Sequence, residues 1–147
     1  MRNDANHGAA YTRNRGLETA RGSFITFMDA DDRCSPERFA RQTAFFGQHP
    51  QIDLCGSYYT MFGPDDAREQ KIQDPITHEG IRIQMLFGCP FAMSGVMMRR
   101  GAFLRSGVRF RATMAEDYLF WAELSGHMRM ANIPEHLSFY RLSLIHI

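Results

Sequence analysis

The stretch Ser23-Phe-Ile-Thr-Phe-Met-Asp-Ala-Asp-Asp-Arg33 organises the rest of the chain. Its apolar part, Phe24 to Met28, is aromatic and β-branched, which predicts a buried strand. The run ends on three carboxylates, Asp29, Asp31 and Asp32, and we call residues 29–32 the acid turn. Carboxylates this close repel one another unless a cation or strong hydrogen-bond donors offset them. The segment therefore predicts a site for a hard divalent ion at the edge of an α/β sheet, where ligands bind beyond the ends of strands.

The composition of the 147-residue chain indicates one globular domain. Hydrophobic residues make up 44% of it, its formal net charge is +1, and its 17 basic residues are scattered. This charge pattern gives no support for a nucleic-acid partner. Its three cysteines are odd in number and form no Cys-x-x-Cys pair, so we expect a reducing, cytoplasmic setting. No apolar run approaches the roughly 20 residues that span a bilayer. Any association with the inner face of the cell membrane is therefore expected to be peripheral.

Helical and strand patterns alternate along the chain, with no internal repeat and no long linker. The predicted helices cover residues 8–21, 35–46, 74–87 and 115–125. The predicted strands cover residues 24–28, 52–62, 94–98, 128–133 and 137–142, and residues 67–73 are expected to form a loop. In the third helix, the apolar side chains expected to point into the core are Ile76, Ile83, Leu86 and Phe87. This alternation predicts a single α/β domain.

Several segments, in the same order, resemble the signature of glycosyltransferase family 2. They are Asn6-His-Gly8, Arg13-Asn14-Arg-Gly16-Leu17, Ala20 to Asp32, Ser94-Gly-Val-Met-Met-Arg99-Arg100, Glu116-Asp117-Tyr-Leu-Phe-Trp121 and Leu137-Ser-Phe-Tyr140-Arg141. The resemblance implies a GT-A-like fold, which is a Rossmann-related mixed sheet flanked by helices. It also implies metal-dependent, inverting transfer of a sugar from a nucleoside diphosphate sugar to an acceptor hydroxyl. The acceptor would be a saccharide or a lipid-linked molecule.

Two departures from the family pattern affect this interpretation. Family members begin with a strand and a Pro-x-Tyr-Asn-like loop that lead into the base- and ribose-binding half of the donor pocket, and no such segment precedes Met1. The resemblance therefore implies that residues 1–147 are one truncated catalytic domain, a partial domain from a longer enzyme. In addition, Ser143 stands where the family often carries a histidine. Because of this difference, the existence of a third protein ligand for the metal stays open.

The acid turn supplies the expected metal ligands. In an extended segment, side chains two residues apart face the same side, so Asp29 and Asp31 can share one ligand site. The resemblance implies that Asp31 ligates Mn²⁺ or Mg²⁺ directly, that Asp29 contacts the metal shell or the donor ribose, and that Asp32 supports them. The alternative is an Asp-rich turn that only caps the helix beginning at Ser35.

The predicted helix at residues 115–125 carries the expected base. Inverting transfer needs a group that takes the proton of the acceptor hydroxyl. Asp117 matches the aspartate that serves this role in the family, and Glu116 is expected to hold it in place or to orient the acceptor. The alternative is that both carboxylates simply favour the positive end of the helix.

Further residues are candidates for donor binding. The resemblance implies that Arg13 reaches the donor diphosphate or base and that Asn14 holds the loops of the pocket, while the alternative for both is a solvated helix face. Arg141 is expected to face phosphate because a planar guanidinium suits that group. His136 and His146 are metal candidates only through their closeness to Arg141 in sequence. Tyr118 and Trp121 could stack on a sugar, but their helical spacing is more typical of a core.

Three functional hypotheses follow. The leading one is a metal-dependent glycosyltransferase, or the catalytic half of one. The second is a magnesium-dependent phosphotransferase with an aspartate nucleophile, against which Arg33 stands where such enzymes need threonine or valine. The third is a non-catalytic remnant that binds a metal or a sugar.

Overall fold

The computed structural model describes residues 3–63 and 69–142. The helices are α1 Ala9–Thr19, α2 Arg38–Gln48, α3 His78–Gln84, α4 Arg100–Ser106 and α5 Glu116–Leu124. The strands are β1 Phe24–Thr26, β2 Arg33–Cys34, β3 Leu54–Phe62, β4 Glu69–Ile72, β5 Met97–Arg99 and β6 Met130–Arg141. A 3₁₀ turn, Met93–Gly95, precedes β5.

The described strands form one mixed sheet in the order β1-β5-β3-β6-β2, and β4 pairs with β3 outside this path. The long strand β3 is parallel to β6 along one edge. On its other edge it pairs antiparallel with β5 at Leu54 and Cys55 and with β4 from Tyr59 to Phe62. A mixed sheet packed against helices is the architecture that the sequence predicts.

The sheet order determines where the acid turn lies. β1 and β2 are close in sequence but lie at opposite edges of the sheet. The chain between Thr26 and Arg33 therefore crosses the end of the sheet, and the acid turn lies in this crossing. The same crossing brings the acid turn to the end of β6, where the backbone N–H of Arg141 donates to Oδ1 of Asp32 at 2.8 Å.

Two apolar clusters hold the sheet and helices together. The larger cluster joins α1, α4 and α5 to the sheet through residues such as Leu17, Met98, Phe103, Phe120 and Trp121. The smaller cluster joins α2 to the sheet through residues such as Phe46, Cys55, Met97, Ala131 and Leu137. Trp121 has no exposed surface, so it belongs to the core and cannot stack on a sugar.

Strand boundaries differ from the sequence expectations in several places, including the start of β5, which is at Met97 rather than Ser94. β1 ends at Thr26, so Phe27 and Met28 lie beyond it. Residues 69–72, expected in a loop, form β4 because they pair with Tyr59 to Phe62. The two predicted closing strands are one strand, β6, which continues through Pro134 with irregular register against β3.

The predicted core face of α3 is wrong. Ile83, Leu86 and Phe87 are 60%, 79% and 83% exposed, and Ile76 is also exposed. The helix begins later than predicted, at His78, where the side chain of Thr77 accepts a hydrogen bond from the N–H of Gly80. This start places Ile81 and Met85, one turn apart, against the core.

Candidate active site

Arg13 contacts three carboxylates from two separate segments of the chain. From α1, its Nη1 donates to Oδ1 of Asp117 at 2.8 Å and to Oε1 of Glu116, both at the start of α5. Its Nη2 lies 3.5 Å from Oδ1 of Asp29, which follows β1. The guanidinium also lies 5.5 Å from the ring centroid of Phe110. One cation thus brings together three of the carboxylates that the sequence singles out.

These groups line one cleft with a volume of about 560 Å³. One wall carries Arg13, Asp29, Glu116 and Asp117, and the sheet contributes Tyr59, Met61 and Tyr140. The remaining lining residues are Cys89, Phe91, Ala92, Met93, Thr113, Met114, Ala115 and Tyr118. The cleft therefore joins a charged wall to an aromatic and apolar one, an arrangement typical of small-molecule sites.

The electrostatic setting of Asp117 suits a base. Burial raises the pKa of its carboxyl, the positive charge of Arg13 opposes this, and the charge of Asp29 raises the pKa further. A raised pKa makes a carboxylate a better proton acceptor, whereas the nearby guanidinium favours its ionised form. The pKa of Asp117 therefore reflects opposing influences, and its carboxyl lines the cleft.

The other two aspartates of the acid turn, Asp31 and Asp32, have surroundings that differ from those of Asp29. Oδ1 of Asp32 accepts the backbone N–H of Arg141, and its Oδ2 is buried without a hydrogen-bond partner among the described residues. Burial raises the pKa of Asp32, and the charges of Asp29 and Asp31 raise it further. Neither Asp31 nor Asp32 lines the cleft described above.

The acid turn can supply some, but not all, of the ligands that a hard cation needs. In the described parts of the chain, no group of three or more His, Cys, Asp or Glu side chains is arranged around one point. The unpartnered Oδ2 of Asp32 and the mutual repulsion of the three carboxylates nevertheless fit a bound divalent ion. Mg²⁺ commonly binds through one or two carboxylates, with substrate phosphates and waters as its other ligands. The residues present fit that mode of binding.

Asn14 and Arg141 hold backbone segments near the site. The side chain of Asn14 donates to the carbonyl oxygen of Phe110 and accepts the N–H of Phe110, both at 2.9 Å. Nε of Arg141 donates to the carbonyl oxygen of Asp31 at 3.2 Å, and its guanidinium lies 5.0 Å from the ring centroid of Phe62. In this structure both side chains therefore contact protein groups that support the cleft.

Among the described residues, the candidate histidine near the end of the chain, His136, contacts a backbone carbonyl group. Nδ1 of His136 is 3.1 Å from the carbonyl oxygen of Tyr59. Ser143 and His146 lie outside the residues that the structure describes.

Residues 1–107 match the sequence model of the family described as glycosyl transferase family 2, which is more than half of the chain. The chain belongs to glycosyl transferase family 2. The membership of this family that the sequence predicts is thereby confirmed.

Curated relatives of this family 2 chain are about twice as long. The amylovoran biosynthesis glycosyltransferase AmsE of Erwinia amylovora is 29% identical over 134 residues, which are 90% of this chain and 50% of AmsE. An uncharacterized glycosyltransferase of Haemophilus influenzae is 30% identical over 140 residues, which are 93% of this chain and 51% of the relative. The chain thus spans about half the length of these two relatives.

Solved structures share the fold of the family 2 chain. The crystal structure of S. aureus TarS 1-349 aligns with a TM-score of 0.71 and 20% sequence identity, over 92% of this chain and 40% of that one. A structure of the same TarS fragment in complex with UDP-GlcNAc aligns with a TM-score of 0.68 and 21% identity, over 92% of this chain and 39% of that one. The likeness confirms the predicted GT-A-like fold.

Sequence reasoning missed the side chains that the sheet of this family 2 chain presents to the cleft. Tyr59 and Met61 alternate along β3, and residues two apart on a strand share a face. This two-residue period can be seen in the sequence, but it does not show which face of the strand lines the cleft. Burial, with the charge of Asp74 nearby, raises the pKa of Tyr59 to about 12, so its hydroxyl remains a hydrogen-bond donor at neutral pH.

No helix in residues 3–63 and 69–142 combines the length and the apolar character that crossing a bilayer requires.

Proposed function

We propose that the protein containing this chain transfers a sugar, with inversion, from a nucleoside diphosphate sugar to an acceptor hydroxyl with the help of a divalent metal ion. The observation that carries the proposal is the contact of one guanidinium, that of Arg13, with both Asp29 and Asp117. These carboxylates follow a strand and begin a helix, respectively, at the two positions that the family motifs identify. Membership of glycosyl transferase family 2 supports the same reaction class.

In this reaction Asp117 is the base. Its carboxylate lines the cleft and can accept the proton of an acceptor hydroxyl as that oxygen attacks the sugar. Glu116 also bonds to Arg13, and it fixes the orientation of the guanidinium relative to Asp117. Arg13 in turn keeps Asp117 ionised before the acceptor arrives, since a neighbouring positive charge favours the carboxylate form.

The acid turn provides the donor end of the site. Asp31, with Asp29 and Asp32, would hold Mn²⁺ or Mg²⁺, and Asp29 is the member of the three that reaches the cleft. When bound, such an ion neutralises the charge that develops on the leaving diphosphate. A UDP-GlcNAc complex of the structurally similar TarS supports a nucleoside diphosphate sugar as donor. Arg13 and Arg141 contact the acid turn at Asp29 and Asp31, respectively.

The acceptor is a saccharide or a lipid-linked molecule, and it enters along the wall formed by Tyr59, Met61 and Tyr140. Aromatic side chains with a polar tip suit a sugar, which has apolar faces and hydroxyl edges. The name of AmsE, an amylovoran biosynthesis glycosyltransferase, is compatible with a role in polysaccharide synthesis. We place this activity in the cytoplasm or at the inner face of the cell membrane.

The test uses the full-length protein that contains this chain, Mn²⁺ and a panel of nucleoside diphosphate sugars. We expect donor hydrolysis or transfer that stops with a chelator and falls at least about 100-fold in Asp117→Asn, which is the usual contribution of a positioned base. Asp31→Asn should lower the affinity for Mn²⁺, so that half-maximal turnover requires a higher Mn²⁺ concentration. Glu18→Gln, an exposed carboxylate on α1, is the matched control and should keep wild-type turnover.

Four results would contradict the proposal. Turnover that continues both with the chelator and in Asp117→Asn would show that neither the metal ion nor Asp117 is required. Product with the anomeric configuration of the donor, determined by NMR, would exclude inversion. Phosphate release from aryl phosphates with covalent trapping at Asp29 would instead identify a phosphotransferase. The absence of activity in every assay would identify a non-catalytic remnant.

A further inference from the structure

Ser94 is a buried hydroxyl that contacts the acid turn directly. It lies in the 3₁₀ turn Met93–Gly95 and is 1% exposed. Its Oγ accepts the backbone N–H of Asp29 at 2.9 Å. Because the oxygen acts as an acceptor in this bond, its own proton remains available for another group.

The second group within reach of Ser94 is the carboxyl of Asp32. Oδ2 of Asp32 is buried and has no partner that meets hydrogen-bond geometry among the described residues. The Ser94 hydroxyl is nevertheless near enough to the Asp32 carboxyl to interact with it. One hydroxyl therefore faces both ends of the acid turn, the backbone of Asp29 and the side chain of Asp32.

The turn that carries Ser94 is itself held rigidly. Nε2 of Gln42 donates to the carbonyl oxygen of Gly95 at 2.8 Å, and Nη2 of Arg38 donates to that of Val96 at 2.9 Å. Both of these side chains are fully buried on α2. Oγ1 of Thr26, the last residue of β1, also donates to the carbonyl oxygen of Val96 at 2.7 Å. Ser94 is thus fixed to the same strand whose end it contacts.

Two neighbouring serines show that burial alone does not explain the contacts of Ser94. Ser57 and Ser138 are 4% and 1% exposed, and neither hydroxyl has a hydrogen-bond partner in the described part of the chain. Both lie next to Gly95, where an added Cβ would come within 2.8 Å of the Ser138 hydroxyl and 3.6 Å of the Ser57 hydroxyl. They are equally buried hydroxyls of the same region without a contact to the acid turn, and therefore serve as matched controls.

We propose that Ser94 is a positioning residue, which holds the acid turn so that its carboxylates face the divalent ion. The inference rests on the proposed function for the identity of the ion, but the contact with Asp29 exists without it. Three carboxylates in four residues repel one another, so their arrangement depends on fixed bonds to the surrounding protein. Removing a group that orients metal ligands typically weakens metal affinity about 10- to 100-fold.

The experiment compares Ser94→Ala with Ser57→Ala and Ser138→Ala in the full-length protein. Mn²⁺ affinity is measured from the electron paramagnetic resonance signal of the free ion, without donor or acceptor. Hydrogen exchange of the Asp29 amide is measured in the same variants without metal. For Ser94→Ala we expect a loss of Mn²⁺ affinity of about 10-fold or more and faster exchange of the Asp29 amide, with a melting temperature similar to those of the controls. Ser94→Thr, which keeps the hydroxyl, should restore both properties.

The outcomes separate this inference from the proposed function. If Ser94→Ala matches the two controls in amide exchange and in Mn²⁺ affinity, Ser94 does not position the acid turn. If the amide exchange rises in Ser94→Ala but the wild-type protein binds no Mn²⁺, Ser94 still positions the turn, and the metal-dependent mechanism is the part that fails.

Discussion

Nη1 of Arg13 lies 2.8 Å from Oδ1 of Asp117, although the two residues are 104 positions apart in the chain. The contact joins helix α1, which leads into the strand before the acid turn, to helix α5, which carries the proposed base. The same guanidinium reaches Asp29. Arg13 therefore connects the donor end of the cleft with its acceptor end.

Replacing Arg13 should change the pH dependence of transfer. Burial and Asp29 raise the pKa of Asp117, and Arg13 opposes them. In Arg13→Gln the opposing charge is lost, so the pKa of Asp117 rises and the acidic limb of kcat/KM moves to higher pH. The measurement is the pH–rate profile of the full-length protein, with the exposed Arg21→Gln as control. An acidic limb that stays at its wild-type position would mean that Asp117 is not the titrating base.

Replacing Gln42 should destabilise the fold without touching the cleft. Its Nε2 donates to the carbonyl oxygens of Gly95 and Cys55, and the side chain is fully buried. Gln42→Leu leaves these carbonyl groups unpaired, which costs about 1–3 kcal/mol of the free energy of unfolding. Thr43→Ala, on the exposed side of the same helix, should change it by less than about 0.5 kcal/mol. Urea denaturation of both variants measures these changes in the free energy of unfolding. Equal midpoints would show that the buried amide of Gln42 does not contribute to stability.

Two glycines should respond oppositely to alanine. At Gly56 on β3, an added Cβ would overlap Oδ1 of Asn132 and would come within 2.7 Å of Cδ1 of Phe91. Gly56→Ala should therefore destabilise the protein by about 1–3 kcal/mol, as overpacking does. At Gly47, in helix α2, nothing lies within 4 Å of the added atom. Gly47→Ala should stabilise the protein by up to about 1 kcal/mol, because alanine loses less backbone entropy in a helix. Thermal melts would refute the packing argument if Gly56→Ala melted at or above the wild-type temperature.

His78 should make stability depend on pH. Its Nδ1 accepts the backbone N–H of Met130 at 3.2 Å, and burial, together with Arg82 and Arg129, lowers its pKa below the ordinary 6.5, against the influence of Glu79. As the pH falls below about 6.5, the unfolded chain takes up a proton that the folded chain does not. Stability from this group is therefore full above that pH and falls as the pH decreases.

The measurement for His78 is the melting temperature between pH 8 and pH 5. His78→Gln should show a shallower decrease on the acid side than the wild-type protein, whereas His127→Gln, at an exposed position, should keep the wild-type slope. Identical slopes in the wild-type protein and His78→Gln would show that this imidazole does not contribute.

Helix α3 and helix α2 show where a local pattern was insufficient. Apolar residues at helical spacing predicted Ile83, Leu86 and Phe87 inside, but they are exposed, and Leu86 and Phe87 lie beyond the helix, which ends at Gln84. In α2 the buried face is Arg38, Gln42 and Phe46, and Phe39 is half exposed. Arg38 and Gln42 are buried there because they donate to the backbone carbonyl groups of Gly95, Val96 and Cys55, and the sequence of α2 does not contain that information.

The sequence alone predicted helices α1, α2, α3 and α5, strands β1, β3 and β5, the acid turn and the family motifs. These features arise from neighbouring residues, since strand propensity, helix capping and turn chemistry are local properties. Only the tertiary structure decided which carboxylates meet. Asp29 and Asp117 share a cleft because long-range strand pairing and core packing bring β1 and α5 together, and because Arg13 offsets their repulsion. Likewise, the sheet order alone makes the acid turn cross the end of the sheet, where Ser94 and the backbone of Arg141 hold it.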